Sequence, residues 1–223
     1  TNRDAYLPLA VPPGAMAAIA ESVAGFDTRV GFIDSNTPDL CDQHRRIALD
    51  AFRIELVTPR TMMESLRVVR VGPAEIAEYR DGISVNKLMP RVMAAIGLFD
   101  RTKVPAADDM AITTQLADFQ TSLNSTNAFF WLSTTNNTRA TQVNAGRAYV
   151  RAQLAAAAVG LSMHPLSQAL QEYPEQAGEY RKFHDLVGAS ARAETVQMWA
   201  RLGYGTAIEP SPRRGLAAHI RSV

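Results

Sequence analysis

The stretch Ala128-Phe129-Phe130-Trp131-Leu132-Ser133 narrows the available folds more than any other part of the chain. It is too short for a buried helix, and a continuous apolar run of this length has the character of a central strand, covered on both faces. Asn136-Asn137-Thr138 then supplies a turn and a cap, and Arg139 to Val159 forms the longest helix, Ala-rich and stopped by Gly160. That helix carries Gly146 with Ala145, Ala148, Ala152, Ala155 and Ala156. Small residues let another backbone approach closely, so the helix is expected to pack tightly, in the core or across a dimer.

Punctuation and period place the other elements. Val11-Pro12-Pro13-Gly14 opens a helix with Met16, Ile19, Ala20 and Val23 at helical spacing, and Gly25 stands where a left-handed terminating residue is expected. Arg29 to Asp34 reads as a short strand and Asp39 to Leu56 as a long amphipathic helix with Leu40, Ile47, Ala51 and Ile54 along its apolar stripe. Thr58-Pro59 breaks that helix and starts another over Arg60 to Val69, and Glu75 to Tyr79 is a further short one. From Asp81 to Asp109, Gly82, Pro90, Gly97 and Pro105 interrupt the apolar patches, the pattern of an irregular, lid-like excursion. Met110 to Ser122 returns to helix. Thr195 to Gly203 alternates Val196, Met198, Ala200 and Leu202 with Gln197, Trp199 and Arg201, which is the period of a strand. The class is therefore α+β, read as a single domain over residues 1–223 with a small antiparallel or mixed sheet covered by helices.

Composition restricts function. With 23 Lys plus Arg against 22 Asp plus Glu, a net charge of +1 provides no general field for nucleic acid or an anionic membrane, so any anion site has to be local. No apolar run approaches the roughly 20 residues of a membrane-spanning helix. The single cysteine, Cys41, excludes an internal disulfide and has no cationic surroundings in the sequence, which marks it as inert. His44, His164, His184 and His219 share no metal-ligand spacing with it or with one another, and no metal site is expected. The chain opens at Thr1-Asn2-Arg3 without a Met, which points to a removed leader, a preceding segment or a shortened chain.

Two segments stand out for chemistry. Pro212-Arg213-Arg214-Gly215 sets two guanidinium groups on a Pro-stiffened tail, to be read as a phosphate clamp or as solvated surface charge. Gly160 to Gln168 mixes Gly, Pro and small polar residues after the long helix. Its backbone N–H groups can face a planar heterocycle, or the segment is an ordinary connection in which Pro165 caps the next helix. His164 has no Ser, Cys or carboxylate at a recognisable spacing and reads as a packed or surface residue.

Taken together, Asn137 through Arg151, Gly160 through Pro174, the strand Gln197 to Leu202 with Gly203-Tyr204-Gly205, and Ser211-Pro212-Arg213-Arg214 resemble the nitroreductase-like superfamily of FMN-dependent oxidoreductases, and within it the Acg family branch. The resemblance covers most of the chain. It implies a nitroreductase-like fold with the long helix at a homodimer interface, bound FMN, and NAD(P)H with a small-molecule electron acceptor as partners. It further implies that Thr1, Asn2 and Arg3 are the last members of a basic motif, with Thr1 at the phosphate and Arg3 near the pyrimidine edge of the isoalloxazine. Pro165 and Leu166 would pack on the ring, the backbone N–H of Ser167 would face flavin N5 with Gln168 beside it, and Arg213 and Arg214 would hold the phosphate. The flavin carries the chemistry, and no side-chain acid or base is required. The superfamily's basic residue two positions before Thr1 would lie off the chain, as would the Asn-x-Gln-Pro-Trp segment expected in the preceding half of longer Acg relatives, and Gly215 stands at the Pro of the C-terminal Arg-Arg-Pro pattern. A flavin-sequestering protein and a cofactor-free dimerisation scaffold are the alternatives. The expected address is the cytoplasm, or the periplasm by way of a removed twin-arginine leader.

Overall fold

A computed structural model describes residues 2–220; Thr1 and residues 221–223 lie outside the described residues. Two compact units are present, one built from residues up to Glu55 with Thr113–Ala207, the other from Leu56–Ile112 with the tail from Ile208.

The first unit is organised by the aromatic run. It forms strand β4 (Ala128–Thr134) in a four-stranded antiparallel sheet with β1 (Arg29–Asp34), β5 (Ser162–Pro165) and β6 (Thr195–Gly203), ordered β1-β4-β6-β5. Central placement follows from the side chains. Successive residues of a strand point to opposite faces, and here both faces are apolar. Phe130 and Leu132 join one core with Ala200, Leu202 and Met163, covered by α1 (Pro13–Glu21) and α7 (Arg139–Ala158). Phe129 joins the other with Trp199, Leu166 and Phe183, covered by α2 (Pro38–Val57) and α8 (Ala177–Leu186). The sheet thus lies between two helical layers.

Helix α7 begins as the sequence indicates. Thr138 accepts a hydrogen bond from the Thr141 N–H, and beyond the helix Gly160 takes φ +76°, a conformation that costs a residue with a Cβ. Ala145, Ala148, Ala152 and Ala156 are buried against the sheet and α1, which settles their role: small side chains let this helix lie close on the strands of its own chain. Gly146 lies on the opposite, exposed side with open space beyond it, next to the exposed Val143, Val150 and Leu154.

Several local expectations change. Helix α1 ends at Glu21 with Ser22 closing it in right-handed geometry, so Gly25 is not its terminator. Residues 162–165 form an edge strand where a loop was expected. Pro165 is tolerated there because an edge strand leaves one row of backbone groups unpaired. In the second unit, α3 (Pro59–Arg67) leads to β2 (Val69–Val71), α4 (Gly72–Tyr79), β3 (Ile83–Val85) and α5 (Leu88–Ala95). The stretch 81–109 therefore holds a strand and a helix, with β3 pairing parallel to β2. Gly82, at φ +74°, is needed there because a Cβ would collide with the Val68 carbonyl. Glu75 ties the unit together, accepting from the Val71 N–H at 2.8 Å and from Arg101 at 2.7 Å, and the bond from Arg101 leads in holding its carboxyl below the ordinary range. Helix α6 (Met110–Asn124) runs into the first unit.

At the Thr195 end of β6 the buried Glu194 accepts from Ser133 Oγ at 2.7 Å and Arg29 at 2.9 Å and pairs with Arg192 at 3.1 Å. Burial pushes its carboxyl up, but these bonds outweigh it and hold the group below its ordinary value.

Buried histidines in this unit are neutral. His44 is enclosed by Phe129, Trp131, Phe183 and Trp199 with ring centroids 4.9 to 5.7 Å away, and burial pulls it down to about 3. His184 donates from Nδ1 to the Tyr180 carbonyl and accepts the Val196 N–H at Nε2, so protonation there would break a bond to β6; burial lowers it as well. His164 on β5 is likewise held at about 3. A histidine whose folded pKa lies below its unfolded value near 6.5 lends stability that is complete above that pH and lost as pH falls toward the folded value. His44 and His164 together should cost about 3 kcal/mol of unfolding free energy per pH unit between about pH 5.5 and 4.5. Urea unfolding across that interval checks this; an unchanged midpoint would mean that these rings titrate normally.

Candidate functional site

At the Gly203 end of β6 the chain places a fully buried guanidinium. Arg201 is 0% exposed, and no carboxylate among the described residues pairs with it. Its partners are neutral. Nε donates to His164 Nδ1 at 2.9 Å, Nη1 to the Ser122 carbonyl at 2.7 Å, and Nη2 to the Asp4 carbonyl at 2.7 Å, with a longer contact of 3.5 Å to the Asn2 carbonyl. The face of the Tyr6 ring lies 4.3 Å from the guanidinium carbon, where its quadrupole favours a cation. Burial lowers the pKa of Arg201, opposed by Tyr6 and the carboxylate of Asp4, while an arginine starts high enough to remain charged.

This cation pins the N-terminal arm. Asn2 is buried, donates to the Thr206 carbonyl at 2.7 Å and accepts the Asp4 N–H at 2.9 Å. Ser122 Oγ donates to the Arg3 carbonyl, the Tyr6 N–H donates to Ser125 Oγ, and Tyr6 pairs with Gly205 as a short antiparallel bridge. The Gly203-Tyr204-Gly205 segment has a steric reason: a Cβ at 203 would overlap the Tyr6 ring, and one at 205 would overlap the Asn2 amide. The Arg3 side chain stays exposed, and with Arg201 it helps to lower the His164 pKa, so both cations bear on this ring.

The segment 165–168 leaves the sheet beside this cluster. Leu166 donates its N–H to the Trp199 carbonyl at 2.8 Å and is 1% exposed, so its side chain belongs to the core and not to a ligand-facing surface. Ser167 is exposed, and its N–H has no acceptor among the described residues; it precedes the short 3-10 turn Gln168–Leu170. Gln168 hydrogen-bonds Glu55, whose carboxyl is raised by burial and lowered by that bond. Asn2, Arg3 and Pro165 to Gln168 thus belong to one unit, whereas Arg213 and Arg214 belong to the other. There, Arg213 donates to the Pro212 carbonyl, and Arg214 sits 3.7 Å from Asp81. Thr1 lies outside the described residues.

With this geometry in view, the chain can be set beside known proteins. No family model matches it, and no curated protein is similar to it in sequence. Solved structures match it by fold. Over 100% of this chain and 94% of its own, the FMN-dependent nitroreductase NfnB of Mycobacterium smegmatis, in complex with NADPH, superimposes with a TM-score of 0.58 at 18% identity. The chain has a nitroreductase-like fold. A nitroreductase with bound FMN from Desulfitobacterium hafniense gives 0.53 at 11% identity over 99% of this chain and 92% of that one. Iodotyrosine deiodinase bound to FMN and 3-iodo-L-tyrosine gives 0.51 at 12% identity over 96% and 91%, so the nitroreductase-like fold hosts more than one reaction.

Arg201 and His164 are the residues that sequence reading passed over. The available signal was that Arg201 shares one strand face with Trp199, a position where an unpaired surface arginine is not expected. Replacing an ion pair with apolar groups can be neutral, but the partners here are main-chain carbonyls that no substitution removes. Arg201→Met should therefore cost about 2 kcal/mol by removing the anchor of the arm and leaving the Asp4 carbonyl without its donor, while the Ser122 carbonyl keeps its bonds from Ser125 Oγ and Thr126 Oγ1. Urea denaturation reads the loss, and a deficit below about 1 kcal/mol would show that the arm is held by other bonds.

Proposed function

We propose that this protein is an FMN-dependent oxidoreductase of the Acg branch of the nitroreductase-like superfamily, accepting reducing equivalents from NAD(P)H and passing them to a small-molecule acceptor. The observation that carries this reading is the exposed, acceptor-free N–H of Ser167 in the segment that follows His164, a ring acted on by the cations Arg201 and Arg3, with no carboxylate hydrogen-bonded to Arg201 among the described residues. A group that is planar, accepts a hydrogen bond at a ring nitrogen and carries negative charge satisfies both features. FMN meets that description. Solved structures of this fold contain it.

Bound FMN would supply hydride and electron transfer. The residues of this chain bind and orient. Ser167 would offer its N–H to N5, and Pro165, at the end of β5, would lie against the ring. Arg3 offers positive charge to the pyrimidine edge, where Asn2 keeps the arm in register through its bond to the Thr206 carbonyl. Arg213, Arg214 and Thr1 are assigned to the phosphate by resemblance.

The expected result is a yellow protein that binds FMN and consumes NAD(P)H. FMN without turnover would support the sequestering alternative, and failure to bind FMN would overturn the reading. Ser167→Ala should reduce flavin at nearly the parent rate. Ser167→Pro, which lacks the donor, should lose a few kcal/mol of transition-state stabilisation, by analogy with roughly 2.7 to 4 for an oxyanion-hole donor. Stopped-flow reduction of folded, FMN-loaded protein measures it, and equal rates would remove Ser167 from N5.

We assign the homodimer interface to α7, through its exposed stripe of Val143, Val150 and Leu154 with Gly146 open between them. Its alanine face is already used by the core. A Val150→Glu, Leu154→Glu double variant should sediment as a folded monomer while the parent sediments as a dimer; identical sedimentation of the two would exclude this face.

A further inference from the structure

The hydrogen bond between Arg201 and His164 has a consequence on the other side of the imidazole. Arg201 Nε–H can only donate, so Nδ1 of His164 has to accept, and the ring proton is confined to Nε2. Nε2 has no protein partner among the described residues. His164 is half-buried, has Phe119 at its edge, and stands on β5 immediately before Pro165, within the electrostatic reach of Arg3.

We propose that His164 is a flavin-binding donor of this site, giving its Nε2–H to a pyrimidine carbonyl oxygen of the isoalloxazine, and that Arg201 is the residue that positions it by fixing this tautomer. The proposal rests on the FMN reading above and adds to it a residue that carries no charge. The charged groups around the ring are Arg201 from β6 and Arg3 from the arm, with Asp4 acting on Arg201. Both cations oppose a second positive charge on the imidazole. Burial opposes it further, so His164 remains a neutral donor throughout the ordinary pH range. A neutral donor complements a carbonyl oxygen without adding to the positive charge of Arg201 and Arg3 beside it. The ring carbonyl is preferred over the phosphate because His164 is adjacent in sequence to the segment that carries the Ser167 N–H.

Two measurements test this. In the parent protein, long-range proton–nitrogen NMR should show the imidazole signal that disappears in His164→Phe as the Nε2–H tautomer, and adding FMN should shift that proton downfield. The Nδ1–H tautomer, or an unmoved signal in protein that has bound FMN, would overturn the proposal while leaving the FMN reading intact. Parent protein that binds no FMN would overturn both. In titrations, His164→Phe should weaken FMN binding by about tenfold, the worth of one neutral hydrogen bond, whereas His164→Gln, which keeps an N–H donor near the Nε2 position, should stay within about threefold of the parent. Riboflavin, lacking the phosphate, should show the same penalty in His164→Phe. An equal loss in the Gln and Phe variants, or a penalty seen with FMN alone, would assign His164 a purely structural or phosphate role and refute the proposal.

Discussion

A guanidinium at 0% exposure with no carboxylate partner is the constraint around which one end of this protein is arranged. Burying a charge is tolerable only when its donors are satisfied, and a neutral set of acceptors has to be gathered from distant parts of the chain to do so. The Arg201 side chain collects carbonyls from residues 4 and 122, a ring nitrogen from residue 164 and an aromatic face from residue 6. Each is fixed by another element: Ser122 by α6, His164 by β5, and Tyr6 by its pairing with Gly205. Loss of any one would leave the others with an ill-matched cation, so the arm, the sheet edge and the α6 terminus are coupled in a single network.

The sheet makes this possible because it is covered on both faces. A strand flanked by solvent could not hold Arg201 dry, and its side chain is enclosed by the N-terminal arm with Tyr6, the end of α6 and His164 of β5. The opposite end of the same strands solves its charge problem in the usual manner, with Glu194 set between Arg29 and Arg192. The contrast is instructive. Glu194 has two guanidinium groups in direct contact, whereas Arg201 has no carboxylate hydrogen-bonded to it among the described residues and feels Asp4 only at longer range.

The strongest signals in the sequence were those written by local physics. The aromatic run, the Thr138 cap, the Gly160 stop and the two-residue period of 195–203 each fix backbone geometry within a few residues, and the corresponding elements stand in the structure. Strand β5 escaped because four residues ending in proline carry almost no periodic signal, and their pairing to β6 is a long-range choice. Helix α8 likewise depends on tertiary burial of Phe183 and His184. Within the site, Asn2, Arg3 and Ser167 were marked through resemblance. Arg201 was visible only as one member of an alternating strand, since nothing local distinguishes a buried arginine from an exposed one. Leu166 was also marked through resemblance: it follows β5, and its N–H bond to the Trp199 carbonyl goes with a side chain held in the core, a long-range pairing that a Pro-Leu pair in the sequence does not signal.

The neutrality of His164 follows from the same arrangement. Desolvation is the leading cause of its lowered pKa, and the adjacent guanidinium adds to it, so protonation would put two cations in contact inside the protein. A lysine or a second arginine at this position would meet the same repulsion, and an aliphatic residue would leave Arg201 Nε without an acceptor. Few side chains both accept from a buried guanidinium on one edge and present a donor on the other; a neutral imidazole does so in a rigid plane, which turns the cost of burying Arg201 into a fixed direction for the ring's remaining N–H.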